Sequence, residues 1–595
     1  MTSMNALKIA RSLGVSAAVA LAACHSLDVQ NPNAPSSKIL TDPGVLAAVA
    51  GGTMRSWFNQ YNYLEIAGVL DVQALSLASS WNNGNINSYQ HLDIGPADTL
   101  TPGDHWTRPN GWYNDLASPQ RTSVEHWWYS YYATISAAND ALHAIRVDKA
   151  SLGSPSATAA AEAVAQLMQG ASYMMISNDY DQGYFLDENT TADELANLKR
   201  VSRNVLRDSA EAKLVKAAAL GAASTFTTDP NWANGVSYDN TQITRLANTL
   251  AAMTLAYYAR DDQEAASVVN WSKVADYASK GISTGTPFSF AFIGDGGGSW
   301  ADDMSYWFTE YSTGRTSTRI AHFMDPATQL DPYALGVGSP QPHSPDKRMG
   351  DGTFGQADIQ DVYDNIPKDA GAGTYFAWSG TGEIFRPDRG FYAQSNIGFI
   401  RYDDSGDMNL QANPGGYGLM QVIIPSNNDL LWAEALLRVG GAANVSKAVD
   451  LINKTRVGAG GLPAAAASDP LGSPADGDCM ANGKLAKDGS ACTIWSKLLY
   501  EQDIEYLEMG PVAFWHQREL PVVKATGWER ATGCRKPATG CAVNANSIYN
   551  GPRFIQGLIP GTARELPVPA KELALKNEAF YTFGGAAAAK GTEKP

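Results

Sequence analysis

A mainly α fold, built of packed helical hairpins with an inserted loop-rich lobe and a few short strands, is predicted from three observations. Ala-rich amphipathic stretches of similar length, broken by Gly and Asn, run from Asp42 to Lys280. From Gly281 to Gln421 helical periodicity fades, and Gly, Pro, Asp and aromatic residues crowd in. Helical patterning then resumes at Asn428.

In chain order, the periodicity predicts helices over Pro43–Asn59, Val124–Arg146, Ala159–Ser177, Arg203–Leu220, Thr241–Ala259 and Trp271–Lys280. The stretch Asp429–Val439 carries Leu430, Ala433 and Leu437 on one stripe and stops at Gly440-Gly441. Asn444 is placed to cap the next helix, whose stripe is Val445, Ala448, Val449 and Ile452. A third helix begins near Thr493, with Trp495, Leu498, Leu499, Ile504 and Leu507 inward. Trp127, Trp128, Tyr131 and Tyr132 lie within a helix and read as core. The expected organisation is a leader over 1–23, a tether over 24–41, one domain over 42–583 and a disordered tail over 584–595. Within the domain, 42–280 and 428–520 form the helical scaffold and 281–427 the loop-rich lobe.

The leader has a basic start (Lys8, Arg11), an apolar run of about eleven residues and the sequence Leu21-Ala22-Ala23-Cys24. That run is too short for a bilayer core of about 30 Å, which needs about 20 apolar residues in a helix. The end of it resembles a bacterial lipobox, which implies cleavage before Cys24 and lipid on Cys24. With Cys24 set aside, the remaining four of five cysteines form two close pairs, Cys479 with Cys492 and Cys534 with Cys541. In an oxidising envelope these read as local disulfides.

A formal charge of −16 and the absence of a basic cluster argue against nucleic acid as a partner. Enzyme signatures such as HExxH, GxSxG or a Walker loop do not occur, and the eight histidines lack ligand spacing, so no metal site is expected. Gly350-Asp351-Gly352-Thr353-Phe354-Gly355 fits GxGxxG but follows Pro345-Asp346-Lys347-Arg348 rather than a buried strand, and reads as a chance match. Asp302 and Asp303 supply adjacent carboxylates, but neighbours in sequence point in different directions, which suits a loop better than a two-carboxylate hydrolase. Calcium, an oxygen-binding cation, could be held by the Asp- and Asn-rich loops, although none has EF-hand spacing.

Several motifs carry a resemblance. Leu431-Trp432-Ala433-Glu434-Ala435-Leu436-Leu437-Arg438, followed by Ala448-Val449-Asp450-Leu451-Ile452-Asn453-Lys454-Thr455-Arg456, resembles a helix pair of SusD/RagB-type nutrient-uptake lipoproteins. Ile494-Trp495, Leu498-Leu499-Tyr500-Glu501 and Glu505 with Leu507 resemble a further helix of that family. Glu565-Leu566-Pro567-Val568-Pro569 with Glu572-Leu573 resembles its closing segment, and Leu27-Asp28-Val29-Gln30-Asn31-Pro32-Asn33 its mature start. The chain departs from the pattern at Gln502 and in Gly510-Pro511-Val512-Ala513-Phe514-Trp515-His516-Gln517-Arg518. The resemblance implies a tetratricopeptide-like scaffold with a ligand-binding lobe, anchored by lipid in the outer membrane and exposed at the cell surface. It also implies a SusC-like TonB-dependent barrel as partner, capture of glycans or peptides, and no catalysis; a lipid-anchored glycoside hydrolase is the alternative.

Aromatic placement points to ligand binding independently. Six of fifteen tryptophans lie between Trp57 and Trp128, and Trp81, Trp106 and Trp112 sit in Asn-, Gly- and Pro-rich sequence. A sugar face stacks on an aromatic ring while amides and carboxylates take its hydroxyls, and Trp81-Asn82-Asn83 offers both kinds of group. Trp300, Asp303, Tyr306 and Trp307 form a second candidate cluster after the Gly-rich stretch Gly294 to Gly298, read as flexible.

Overall fold

The structure is a computed structural model and describes residues 37–79, 83–89, 111–296, 298–308, 314–329, 341–349, 375–378, 395–399, 401, 416–525 and 553–584. Cys24, Trp81, Asn82, Trp106, Cys534, Cys541 and the GxGxxG match lie outside the described residues, as does the Asn83 side chain.

The scaffold is a run of helices, each packed on the next. The first is α1 (Pro43–Tyr61), followed by the short α2 (Ala67–Gln73), then α3 (Thr122–Arg146), α4 (Pro155–Asp179), α5 (Arg203–Ala223), α6 (Asn240–Ala256) and α7 (Trp271–Ser279). Helix α1 packs on α3, α3 on α4, α4 on α5, α5 on α6 and α6 on α7. The sequence fixes the starts through caps: the Ser154 hydroxyl accepts from Ala157 N at 3.1 Å, and Asp239 and Gln242 form a reciprocal capping box. Small residues set the spacing. A Cβ on Gly170 of α4 would stand 2.8 Å from Leu214 Cγ of α5, so the two helices approach at a distance only glycine permits. The long helices begin and end within about four residues of the sequence-predicted limits, and α4 starts four residues early because Ser154-Pro155 caps it. Trp127, Trp128 and Tyr131 are buried core, with Tyr132 partly buried against them.

After α7 the chain enters the region of short elements. These are β1 (Phe290–Asp295), the single-turn α8 (Asp303–Phe308), α9 (Thr318–Met324) and β2 (Tyr417–Ile423), the last pairing antiparallel with β1. Among the described residues every sheet is two-stranded. Gly294 lies in β1, and the Asp295 carboxylate accepts from Gly298 N and Ser299 N at 2.8 Å and from Trp300 N at 3.1 Å, closing a tight turn.

Helices resume at Pro425 with α10 (Pro425–Val439), then α11 (Ala442–Arg456), α12 (Ile494–Glu505) and α13 (Val512–Arg518). Asn428 is fully buried and donates to Ala278 O at 2.9 Å while accepting from Thr249, which seats α10 on α6 and α7. Asn444 does not cap α11. Gly440 and Gly441, at φ 76° and 92°, reverse the chain so sharply that α11 starts at Ala442, and Asn444 Nδ2 donates back to Gly440 O at 2.7 Å. Thr493 caps α12 as expected. Gly510, at φ 62°, lies where a Cβ would be 2.4 Å from the Tyr61 ring, so the turn into α13 closes directly onto α1 while α13 itself packs on α2.

Buried ions are paired at the heart of the C-terminal half. Arg348 reaches Asp346 and Glu501 at 2.7 Å and Glu505 at 3.0 Å, all inaccessible to solvent. Cys479 and Cys492 form the expected disulfide, with Cα atoms 5.5 Å apart. No described helix is long and apolar enough to cross a membrane.

Candidate functional site

The turn Asn62–Ile66, between α1 and α2, lies between the short helix Asn83–Asn85 and the start of α8. On one side the short helix Asn83–Asn85 packs on it: a Cβ on Gly84 would lie 3.0 Å from Leu64 Cγ and 3.4 Å from Glu65 Cα. On the other side lies the Asp303 carboxylate, near enough to the Leu64 N–H to be favoured by it in its ionised form. The exposed face of α1 fixes the approach to α8. Arg55 Nε and Asn59 Nδ2 both donate to Ser299 O, at 3.1 and 3.0 Å, and Ala301 N donates to Asn59 Oδ1.

Asp302 and Asp303, adjacent in sequence, part company here. Asp302 is 1% exposed and accepts from Asn62 Nδ2 at 2.5 Å and from Ser305 N at 2.9 Å, so it anchors the start of α8. Asp303 is half-buried beside Tyr63 and Glu65. Burial, and then the charge of Asp302, push its carboxyl up to about 6, against the Leu64 N–H that favours the ionised form. Tyr306 and Trp307 are half-buried on the same short helix, with rings edge-to-face at 4.9 Å. Tyr63 is half-buried too and stacks on His126 of α3, centroids 3.5 Å apart and planes within 7°. His126 is bonded to Gln60, and burial holds its imidazole down at about 4, so the ring is neutral at physiological pH.

Tyr63 and Glu65 of the α1–α2 turn thus lie beside Asp303, and Asp303 shares the short α8 with the half-buried rings of Tyr306 and Trp307. Such a group can stack on an apolar ligand face and accept hydrogen bonds from hydroxyls. With Asp302 consumed by Asn62 and Ser305, the adjacent pair does not supply the two opposed carboxylates of a hydrolase.

Of the sequence-predicted residues, Asp303, Tyr306 and Trp307 share this patch, whereas Trp300 and Trp112 do not offer a face. Trp300 is 9% exposed, its ring filling the space beside Phe58 and Phe292 with centroids at 6.5 and 5.8 Å. Trp112 is 3% exposed and pins the C-terminal segment: Nε1 donates to Glu565 O at 2.8 Å and the backbone N to Phe583 O. Neighbouring Asn114 donates to Val568 O and Tyr581 O, both at 2.9 Å. Polar, Gly-rich flanks suggested open loops at both tryptophans; apolar area of this size is buried whenever a partner surface is within reach. Tyr63, Glu65 and His126 were missed. Gln60-Tyr61-Asn62-Tyr63 has the amide-plus-aromatic composition that marked the other segments, but it follows an amphipathic helix and reads as its continuation.

No protein-family model matches the sequence, and no curated protein matches it. Solved structures do match. A SusD superfamily protein from Parabacteroides distasonis superposes with a TM-score of 0.52 at 12% identity, over 91% of this chain and 98% of that one. A SusD-like carbohydrate binding protein from Bacteroides fragilis superposes with a TM-score of 0.50 at 12% identity, over 88% of this chain and 97% of that one. At such identity the likeness is one of architecture, and it spans nearly the whole of both relatives. The chain has the SusD-like fold that its helix-pair and closing motifs resemble.

Proposed function

We propose that this chain is a surface-exposed lipoprotein that captures oligosaccharides and passes them to a SusC-like TonB-dependent transporter in the outer membrane, without cleaving them. The observation that carries the reading is the group of half-buried aromatic and acidic side chains at the α1–α2 turn (Tyr63, Glu65) and on the adjoining α8 (Asp303, Tyr306, Trp307), on a SusD-like scaffold. Three half-buried rings fixed by buried anchors form a stacking platform that needs little ordering when a ligand arrives, which favours affinity. The lipobox at Leu21–Cys24 supports the anchor, and the carbohydrate-binding relative from Bacteroides fragilis supports a glycan rather than a peptide.

Isothermal titration of the soluble body, starting after Cys24, against neutral oligosaccharides and peptides tests the reading. Binding of at least one glycan class at millimolar concentration or tighter is expected, with no new reducing ends on prolonged incubation. Failure of every glycan to bind, or steady release of reducing ends, would overturn it. Co-purification with a TonB-dependent barrel from the native outer membrane tests the partnership.

A further inference from the structure

The scaffold holds a polar cluster that the proposed glycan patch does not use. Glu434 on α10, His516 on α13 and Glu519 at the α13 C-cap are each 1% exposed or less, and one donor atom from each lies within 4.8 Å of the others. His516 and Glu519 are three residues apart, which puts both on one face of their helical turn, directed at α10. His516 Nδ1 is 3.9 Å from Glu519 Oε1, too far for a hydrogen bond. Among the described residues neither ring nitrogen of His516 and neither carboxylate oxygen of Glu519 has a hydrogen-bond partner. Buried polar groups are nearly always satisfied, so two whole side chains left unpaired and facing each other call for an occupant. Glu434, by contrast, is already fixed by Arg438 Nε and Gln502 Nε2, both at 2.9 Å.

We propose that Glu434, His516 and Glu519 form a structural site for a zinc-type divalent cation that ties α10 to α13. One imidazole nitrogen with carboxylate oxygens suits zinc, whereas calcium and magnesium take oxygen alone. Zinc bonds of about 2.0–2.1 Å place tetrahedral donors roughly 3.3 Å apart, so the His516–Glu519 separation of 3.9 Å closes by about 0.6 Å when the ion binds, and the wider donor pairs, within 4.8 Å, close further. Gln502, which holds Glu434 through Nε2, leaves Oε1 without a partner and is the candidate fourth donor. The pair Arg438 and Glu434 is neutral between its members, so Glu519 offsets one of the ion's two charges. Complete burial means the ion enters as the scaffold folds.

The test is metal content and melting temperature of the soluble body, refolded in chelator-treated buffer with and without zinc chloride. Near one equivalent of zinc is expected, with a melting temperature several degrees higher than after refolding in EDTA. Glu519→Gln, close to isosteric, should bind less than a tenth of an equivalent and melt at the same temperature with or without zinc; His516→Ala should do the same. Refolded wild-type protein that binds under a tenth of an equivalent overturns the site. So does a Glu519→Gln protein that retains wild-type zinc, since the ion would then sit elsewhere. Neither result bears on glycan binding, which is read separately by titration.

Discussion

Asn62 at the C-terminal end of α1 donates to the Asp302 carboxylate at 2.5 Å, across 240 residues of sequence. Through this bond the first helix of the scaffold sets the start of α8 and, with it, where Asp303, Tyr306 and Trp307 emerge. The patch is therefore held by buried groups rather than by the loops around it.

Removing that bond should loosen α8. Asn62→Ala leaves a buried carboxylate with fewer donors, and a loss of about 1–3 kcal/mol is expected from urea denaturation. Glycan affinity should fall with it, because the rings lose their support. Unchanged stability would show that Ser305 N alone holds Asp302.

The tryptophans should separate by burial. Trp300→Ala opens a cavity beside Phe58 and Phe292 and should cost about 3–5 kcal/mol. Trp307→Ala, which removes a half-buried ring, should cost clearly less stability than Trp300→Ala and weaken oligosaccharide binding about three- to tenfold, the worth of one stacking contact. The reverse pattern in paired denaturation and titration experiments would remove α8 from the ligand site.

Asp303 should give stability a pH dependence of definite sign. Its carboxyl is raised to about 6 in the folded chain, chiefly by burial and then by Asp302. An acid raised on folding takes up a proton as the chain folds, so ionised Asp303 costs stability above pH 6, and that cost vanishes as pH falls below about 4. Asp303→Asn should therefore gain on wild type at pH 7.5, lose most of that advantage by pH 4.5 and the rest below about pH 4, read as the difference in urea midpoint. A difference independent of pH would refute the assignment.

Arg348 should be the costliest single cation to lose. Its replacement by Met leaves Asp346, Glu501 and Glu505 buried together, with Arg401 and Arg456 as the remaining cations paired with them among the described residues. A loss of about 3–5 kcal/mol is expected, the usual penalty for breaking a buried pair from one side. Calorimetry showing a milder effect would mean that the three acids take up protons in its absence.

Reduction of Cys479–Cys492 should be milder. The bond closes a loop of thirteen residues, and its loss should cost about 2–3 kcal/mol. A double Ser variant, compared by denaturation, isolates that contribution from general effects of reductant.

Much of the scaffold was legible because its signals are local. Helix α10 announces itself by the stripe Leu430, Ala433 and Leu437 and by its stop at Gly440-Gly441, and α12 by its start near Thr493 and its inward residues; stop signals and periodicity act within a few residues of chain. The cysteine pair at 479 and 492 was legible for the same reason. By sequence alone, then, this protein had its hairpins, its interrupted centre and the kinds of side chain a ligand would meet. Tertiary structure decided which of those side chains face outward: Trp112 went to pin Glu565 and Phe583, Trp300 to the core, while Tyr63 joined Asp303. It also brought His516 and Glu519 to Glu434, over a gap of some eighty residues that no motif spacing records. Both outcomes depend on which surfaces meet when helices pack, a property of pairs of segments far apart in the chain that no single window contains.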